Sequence, residues 1–267
     1  MKYLVSCIQM CSTSNIEKNI EVAVDLIHLA ISRNSKLICL PENFAYWGAD
    51  KYKIELIEDI HQAWSEKIIP LAKEYGVYIV AGGHPTKASA SKFYNTSSLI
   101  DPSGNILAQY HKIHLYDIDI PGRVQWQESQ YTMPGEKAIV QKTELGNIGF
   151  SICYDIRFPE LYRKMSELKA EILTIGAAFS MVSGREHWNT LLRARAIENQ
   201  CYVLAAAQWG KPSSSWESYG DSSIIDPWGK VLACAANKTG IISAEVDLEY
   251  LQKVRQSLPA LQHKVKI

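Results

Sequence analysis

The chain has 267 residues, 47% of them hydrophobic, with Lys plus Arg and Asp plus Glu balanced at 28 each. Even charge leaves no electrostatic footprint for nucleic acid, and the apolar content argues for a large core and against disorder. No apolar run nears the roughly 20 residues that span a bilayer, so no membrane partner is expected.

The N-terminus, Met1-Lys-Tyr-Leu-Val-Ser-Cys-Ile-Gln9, turns polar too soon for an export signal. The six cysteines (Cys7, Cys11, Cys39, Cys153, Cys201, Cys234) form no CxxC pair. Reduced thiols and a cytoplasmic location follow as expectations.

Strand and helix patterns alternate from the start. Tyr3–Gln9 reads as a strand, and Ser14-x-x-Glu17 as a capping box opening a helix with Ile16, Ile20, Ala23, Ile27 and Ile31 on one face. Lys36–Leu40 reads as a short buried strand ending at Pro41-Glu42. A helix over Ile60–Tyr75 should stop at Gly76, followed by strand Val77–Ala81. Strands are predicted at Asn95–Ile100 and Ile106–His111, and a helix at Pro159–Leu168. Strand Glu171–Ile175, a long helix over Arg185–Gln200 and strand Cys201–Ala207 follow. Three strands (Ser222–Ile225, Lys230–Ala233, Ile241–Val246) and a helix from Asp247 complete the chain. With no low-complexity linker, residues 1–267 are expected to form one domain.

One segment recurs: Asp101-Pro-Ser-Gly104-Asn-Ile-Leu-Ala108 returns as Asp226-Pro-Trp-Gly229-Lys-Val-Leu-Ala233. Both read as hairpin turns in which Pro presets φ and Gly takes the positive-φ position. Turn chemistry alone can repeat Asp-Pro-x-Gly. The shared Ile/Val-Leu-Ala tail favours two similar half-domains, each a sheet with its own hairpin. The expected fold is α/β, with two sheets packed face to face and helices outside.

Three polar residues stand at predicted strand ends: Glu42 after Lys36–Leu40, Lys112 after Ile106–His111, and Cys153 after Asn147–Ile152. Ligand sites in open α/β sheets gather beyond the carboxyl ends of strands. Singly, each residue has an ordinary alternative: solvated charges for Glu42 and Lys112, a packed thiol for Cys153. Together they suit acyl transfer, with carboxylate as proton acceptor, ammonium as oxyanion partner and thiol as nucleophile.

The contexts of these residues resemble the nitrilase, or carbon–nitrogen hydrolase, superfamily. The resemblance rests on Leu40-Pro-Glu42, His111-Lys112-Ile-His-Leu-Tyr-Asp117 and Ile152-Cys153-Tyr-Asp-Ile-Arg157-Phe-Pro-Glu160. It extends through Gly176-Ala-Ala-Phe179, Arg193-Ala-Arg195-Ala-Ile-Glu-Asn199 and Ser222-Ile-Ile-Asp-Pro-Trp-Gly229, covering nearly the whole chain. Within the superfamily the sequence is most similar to the branch holding deaminated glutathione amidase and omega-amidase.

The resemblance implies a four-layer α-β-β-α sandwich and a thiol-dependent amidase working through a cysteinyl thioester. Glu42 would be the general base, Lys112 the oxyanion stabiliser, Cys153 the nucleophile and the Tyr154 backbone N–H a second oxyanion donor. Glu128 would support Lys112. Arg157 would bind a substrate carboxylate through its planar fork, and Phe179 would wall the pocket. No metal or other cofactor is implied; His111 and His114 flank Lys112 as structural residues, since a metal site needs three or four convergent ligands. Arg195 and Glu198 form a plausible pair on a helix that in the family lies near the subunit interface, so a homodimer or larger homo-oligomer is expected.

The expected reaction is hydrolysis of deaminated glutathione to 2-oxoglutarate and cysteinylglycine. The alternative is an omega-amidase acting on 2-oxoglutaramate or 2-oxosuccinamate. A nitrilase, an N-carbamoyl hydrolase and a catalytically silent binding scaffold are lesser alternatives. Two features depart from the branch: Asp221 stands where His is usual, and the tail after His263 is short and lacks the usual Asp-Leu-Tyr ending.

Overall fold

The computed structural model describes residues 1–122, 124–213 and 216–265. β1 (Lys2–Gln9) is followed by α1 (Ile16–Ser32), β2 (Ser35–Cys39), α2 (Asp50–Glu55), α3 (Ile57–Tyr75), β3 (Tyr78–Lys87), β4 (Phe93–Ile100) and β5 (Ile106–His111). A small hairpin of β6 (Asp117–Ile120) and β7 (Val124–Gln127) leads to β8 (Val140–Thr143), β9 (Gly146–Ile152), α4 (Pro159–Glu167), β10 (Ile172–Ala177), α5 (Met181–Asn199) and β11 (Tyr202–Ala207). A second hairpin, β12 (Trp209–Ser213) and β13 (Trp216–Tyr219), precedes β14 (Ser223–Ile225), β15 (Val231–Cys234), β16 (Gly240–Asp247) and α6 (Leu248–Ser257).

Among the described residues the long strands form two six-stranded sheets, ordered β16-β1-β2-β3-β4-β5 and β15-β14-β11-β10-β9-β8. In the first, β1, β2 and β3 run parallel and β4 and β5 are added antiparallel. In the second, β9, β10 and β11 run parallel, and β14 and β15 are likewise added antiparallel. The internal echo in the sequence is therefore a repeated sheet. Its turns match in detail: Asp101 Oδ1 accepts from Ser103 and Asn105 N–H, and Asp226 Oδ1 from Trp228 and Lys230 N–H. Gly104 and Gly229 sit at φ 83° and 89°, the conformation that favours glycine.

Strand alternation divides the core. Val5, Cys7, Leu37 and Cys39 point toward the second sheet and pack with Ile148, Phe150 and Ile152. Their neighbours Ile8, Ile38 and Leu40 point the other way, against Ile20, Ala23 and Ile27 of α1 and Trp64 and Ile68 of α3. Helices α4 and α5 cover the outer face of the second sheet through Leu161, Met165, Trp188 and Leu192. The four-layer sandwich stands as expected.

Some local expectations shift. The cap of α1 is Asn15, not Ser14: Asn15 Oδ1 accepts from Lys18 N–H at 2.9 Å, so the carboxamide takes the free helical amide. Helix α3 starts earlier than Ile60 and ends at Gly76 in the left-handed conformation. Helix α2, strand β8 and the two small hairpins carry no clear period and were not expected.

Candidate active site

Strands β2 and β5 run in the same direction within their sheet, because two antiparallel steps separate β5 from β3. Their carboxyl ends therefore share one edge, which brings Glu42 and Lys112 together. Lys112 Nζ lies 3.2 Å from Glu42 Oε1 and 2.8 Å from Glu128 Oε2. Glu128 arrives on the one-turn 3-10 helix Glu128–Gln130 that follows the β6–β7 hairpin. All three are buried.

Each carboxylate is held by further donors. Asn95 Nδ2 donates to Glu42 Oε1 at 2.8 Å and to Glu128 Oε1 at 3.3 Å. The Ala178 amide, just past β10, donates to Glu42 Oε2 at 2.9 Å, and the Tyr116 amide to Glu128 Oε2 at 2.7 Å. Gln208, just past β11, donates to the Glu42 carbonyl at 3.0 Å. Both sheets thus hold Glu42. A side chain on Gly83 would come within 2.8 Å of Glu42 Cγ, so only glycine leaves the carboxylate its place.

Cys153 ends β9 and begins the 3-10 helix Cys153–Arg157. Its φ is 48°, a left-handed conformation that costs a non-glycine residue about 1–3 kcal/mol and needs a cause. Asp155 supplies the support. Its buried carboxylate accepts from the Ile152 amide (2.9 Å), Tyr110 Oη (2.7 Å), and His114 through its amide (3.1 Å) and Nδ1 (2.8 Å). The turn is fastened to β5 and to the segment after Lys112. Because it opens a 3-10 helix, the Tyr154 N–H belongs to the first turn, whose amides have no intrahelical acceptor.

The electrostatics follow from burial. Desolvation and the Glu42 charge push the Cys153 thiol well above its ordinary range, although Lys112 and the Ala178 amide pull it down. The resting thiol is protonated. Burial alone would lower the Lys112 ammonium, but Glu128 and Glu42 overcome it and hold the group well above its usual value. Glu128 is raised, first by burial and then by its neighbour Glu42, against the pull of Lys112. One fixed cation between two carboxylates, beside a neutral thiol, is a charge set able to receive an oxyanion and to move a proton.

Glu42, Lys112, Glu128, Cys153, Tyr154 and Phe179 all line one cavity of about 550 Å³. Arg157 is half-buried and not among its lining side chains. Its guanidinium stacks 5.0 Å from Phe179 and 5.6 Å from Tyr154, and hydrogen-bonds with Ser183 Oγ and His187 Nδ1. The expected neighbours of Lys112 have structural partners: His114 joins Asp155, and His111 joins Thr96 and stacks on Tyr94. Arg195 and Glu198 pair at 2.7 Å. Asp221 accepts from Asn189 Nδ2 and Cys234 Sγ, so it acts as a structural hydrogen-bond acceptor outside the cavity lining.

Sequence reasoning missed Asn95, Asp155, Gln208 and the aromatic side of the cavity. There Trp216 packs 5.9 Å from Trp47 and 5.2 Å from Trp126. Only Asp155 carried a signal, two residues past the cysteine in a polar turn.

Among the described residues, no helix is long and apolar enough to cross a membrane. The carbon–nitrogen hydrolase family model matches residues 4–256. The chain is 44% identical over 268 residues to the deaminated glutathione amidase of Synechocystis sp., covering 98% of each. It is 38% identical to the omega-amidase of Xenopus tropicalis, covering 97% of this chain and 93% of that one. The crystal structure of Caenorhabditis elegans NitFhit superposes with a TM-score of 0.94 at 38% identity, over 98% of this chain and 65% of the longer one. The chain belongs to the carbon–nitrogen hydrolase family and is an amidase of the branch that holds deaminated glutathione amidase and omega-amidase.

Proposed function

We propose that Cys153, Glu42 and Lys112 form the catalytic triad, and that the substrate is deaminated glutathione. The observation that carries the triad is the buried Glu42–Lys112–Glu128 cluster facing a thiol on a left-handed turn, all opening on one cavity. The substrate reading rests on similarity to deaminated glutathione amidase at 98% coverage of both chains.

When the amide enters, the Cys153 proton passes to Glu42 and the sulfur attacks the carbonyl carbon. Lys112 and the Tyr154 N–H receive the negative charge on oxygen. Glu42 returns the proton to nitrogen, the C–N bond breaks, and cysteinylglycine leaves with its new amine. A thioester of the oxoacid remains on Cys153. Glu42 then takes a proton from water, the hydroxide displaces sulfur, and 2-oxoglutarate is released with the thiol restored. Glu128 holds Lys112 in place; Phe179 walls the acyl group; Arg157, at the cavity's edge, is a cation for a carboxylate there.

The second reading is an omega-amidase releasing ammonia from 2-oxoglutaramate, favoured by the 38% identity to that enzyme. A release assay over deaminated glutathione, 2-oxoglutaramate, an N-carbamoyl amine and a nitrile separates the readings. Intact mass on quenched turnover should show the protein one acyl group heavier. Undiminished turnover in Cys153→Ala overturns the triad.

A homodimer is also proposed. Ile197 of α5 lies against Gly229 of the β14–β15 turn, and Ile197, Trp228, Val231 and Leu232 are all exposed there. The oligomeric state of Trp228→Ser, read by light scattering, tests it. The six free thiols support a cytoplasmic setting.

A further inference from the structure

The cavity carries a buried cation that the proposed mechanism does not use. Lys53 of α2 is 7% exposed and lines the cavity together with Cys153. Its ammonium donates to Asp50 Oδ1 and to Asn43 Oδ1, both at 2.8 Å, and lies 5.5 Å from the Phe93 ring centroid. Two of its three N–H donors are thereby committed. Thr132 pairs with Phe93 in an isolated bridge and also lines the cavity. Its buried Oγ1 has no hydrogen-bond partner among the described residues. A buried hydroxyl without a partner costs free energy unless a ligand supplies one.

This wall lies on the amine side of the scissile bond. Glu42 returns the proton to the departing nitrogen, so that nitrogen must sit against Glu42. Asn43 follows Glu42 in the chain and holds the Lys53 ammonium. Asn95 holds Glu42 and Glu128, and Phe93 stands two residues before it on β4, about 7 Å along the strand. An extended dipeptide amine also reaches about 7 Å from its nitrogen to its carboxylate. The acyl side is separate: Arg157 follows the Cys153 turn, stacks on Tyr154 and Phe179, and remains the cation for the oxoacid carboxylate.

Resting on the amidase reading above, we propose that Lys53 and Thr132 form the subsite for the carboxylate of the departing amine. Its oxygens are received by the third ammonium N–H and the free hydroxyl, while Asp50 and Asn43 fix the ammonium. Asp50 also balances the charge of Lys53, so recognition rests on directed hydrogen bonds rather than on net charge. In deaminated glutathione the bound group is the glycine carboxylate of cysteinylglycine. The substrate class selected is an amide whose amine half is a dipeptide ending in a free carboxylate. 2-Oxoglutaramate, which releases ammonia, makes no use of this wall.

Binding without turnover tests the subsite. The full chain carrying Cys153→Ala is titrated calorimetrically with deaminated glutathione and with its analogue ending in glycinamide. The acid should bind about tenfold or more tighter than the amide. Adding Asp50→Asn with Lys53→Met removes the cation without stranding a buried carboxylate, and the preference should vanish. Thr132→Val should reduce it, and Lys53→Arg should keep most of it. With the thiol present, Asp50→Asn with Lys53→Met should raise KM for deaminated glutathione about tenfold and leave KM for 2-oxoglutaramate within about twofold.

The proposal is overturned if neither ligand binds, if acid and amide bind alike, or if their difference survives the loss of Lys53. Equal weakening of both ligands, or a KM rise shared by 2-oxoglutaramate, overturns it too and makes Lys53 only a brace for Asn43 beside Glu42. If the acid preference depends on Lys53 but wild-type protein releases no cysteinylglycine, the substrate reading fails and the subsite stands. Release of cysteinylglycine with no acid preference sinks the subsite and keeps the substrate reading.

Discussion

Lys112 lies 2.8 Å from Glu128 and 3.2 Å from Glu42. The shorter contact is with the carboxylate that also accepts the Tyr116 amide, on the segment just after Lys112 itself. Glu128 therefore anchors the ammonium, while Glu42 stays beside Cys153, close enough for its charge to raise the thiol. This division of labour between two similar acids underlies the predictions.

Replacing Glu42 with Gln should separate thiol acidity from catalysis. Burial and the Glu42 charge both raise the Cys153 thiol, so deleting the charge favours thiolate. The pH profile of Cys153 alkylation by iodoacetamide should move to lower pH. Amide turnover should still fall about 10²–10⁴-fold, because the proton acceptor is gone. An unmoved alkylation profile, or unchanged kcat, contradicts the arrangement.

Glu128→Gln tests the anchor. With one anion fewer, the Lys112 ammonium should lose part of its upward shift, since Glu128 is the larger of its two carboxylate influences. In the wild type, the stability tied to this raised Lys is complete below its unfolded value near 10.4 and is lost only as pH rises through the folded value. The variant should therefore show a weaker dependence of stability on pH above about 10. Its kcat should fall while Cys153 remains alkylatable. Denaturant melts across alkaline pH, paired with turnover, check both.

Asp155→Asn should loosen the Cys153 turn. The variant loses the anion that gathers Ile152, Tyr110 and both His114 donors. Hydrogen bonds to a charged group are worth about 1.5–3 kcal/mol, so a destabilisation of that order is expected. A drop in kcat should accompany it, because the left-handed Cys153 conformation loses its brace. Thermal unfolding and kcat should move together; a stable variant with reduced kcat would assign Asp155 a direct role in the reaction.

His84 should make the fold acid-sensitive. Burial lowers it to about 3, with smaller contributions from His61 and His111, and Nε2 contacts Ser98 Oγ at 2.9 Å. A buried base depressed in this way supports the fold fully above its unfolded value near 6.5, and that support is lost as pH falls toward the folded value. The slope contributed in that window is about 1.4 kcal/mol per pH unit. His84→Gln should flatten stability between pH 6 and pH 4, as measured by urea unfolding.

Much of the site was legible because strand ends are written in the chain. Glu42, Lys112 and Cys153 each follow an apolar run with a clear period, and the family motifs around them are continuous in sequence. The repeated Asp-Pro-x-Gly turns announced a repeated sheet for a similar reason: a tight turn needs particular residues at fixed offsets. The cap of α1 lies one residue past the capping box expected at Ser14, because Ser14 and Asn15 are both capping residue types and only geometry shows which one reaches Lys18 N–H.

The sequence by itself determined which reactive groups the chain can bring to a site, since the thiol, the carboxylate and the ammonium are residue types in local motifs. Tertiary structure alone decided who their partners are. Asn95 and Gln208 reach Glu42 from positions 53 and 166 residues away, and no local pattern encodes such contacts. It also decided that Trp47, Trp126 and Trp216 meet on one side of the cavity. Those placements come from stacking two sheets face to face, which joins residues that no helical or strand period relates.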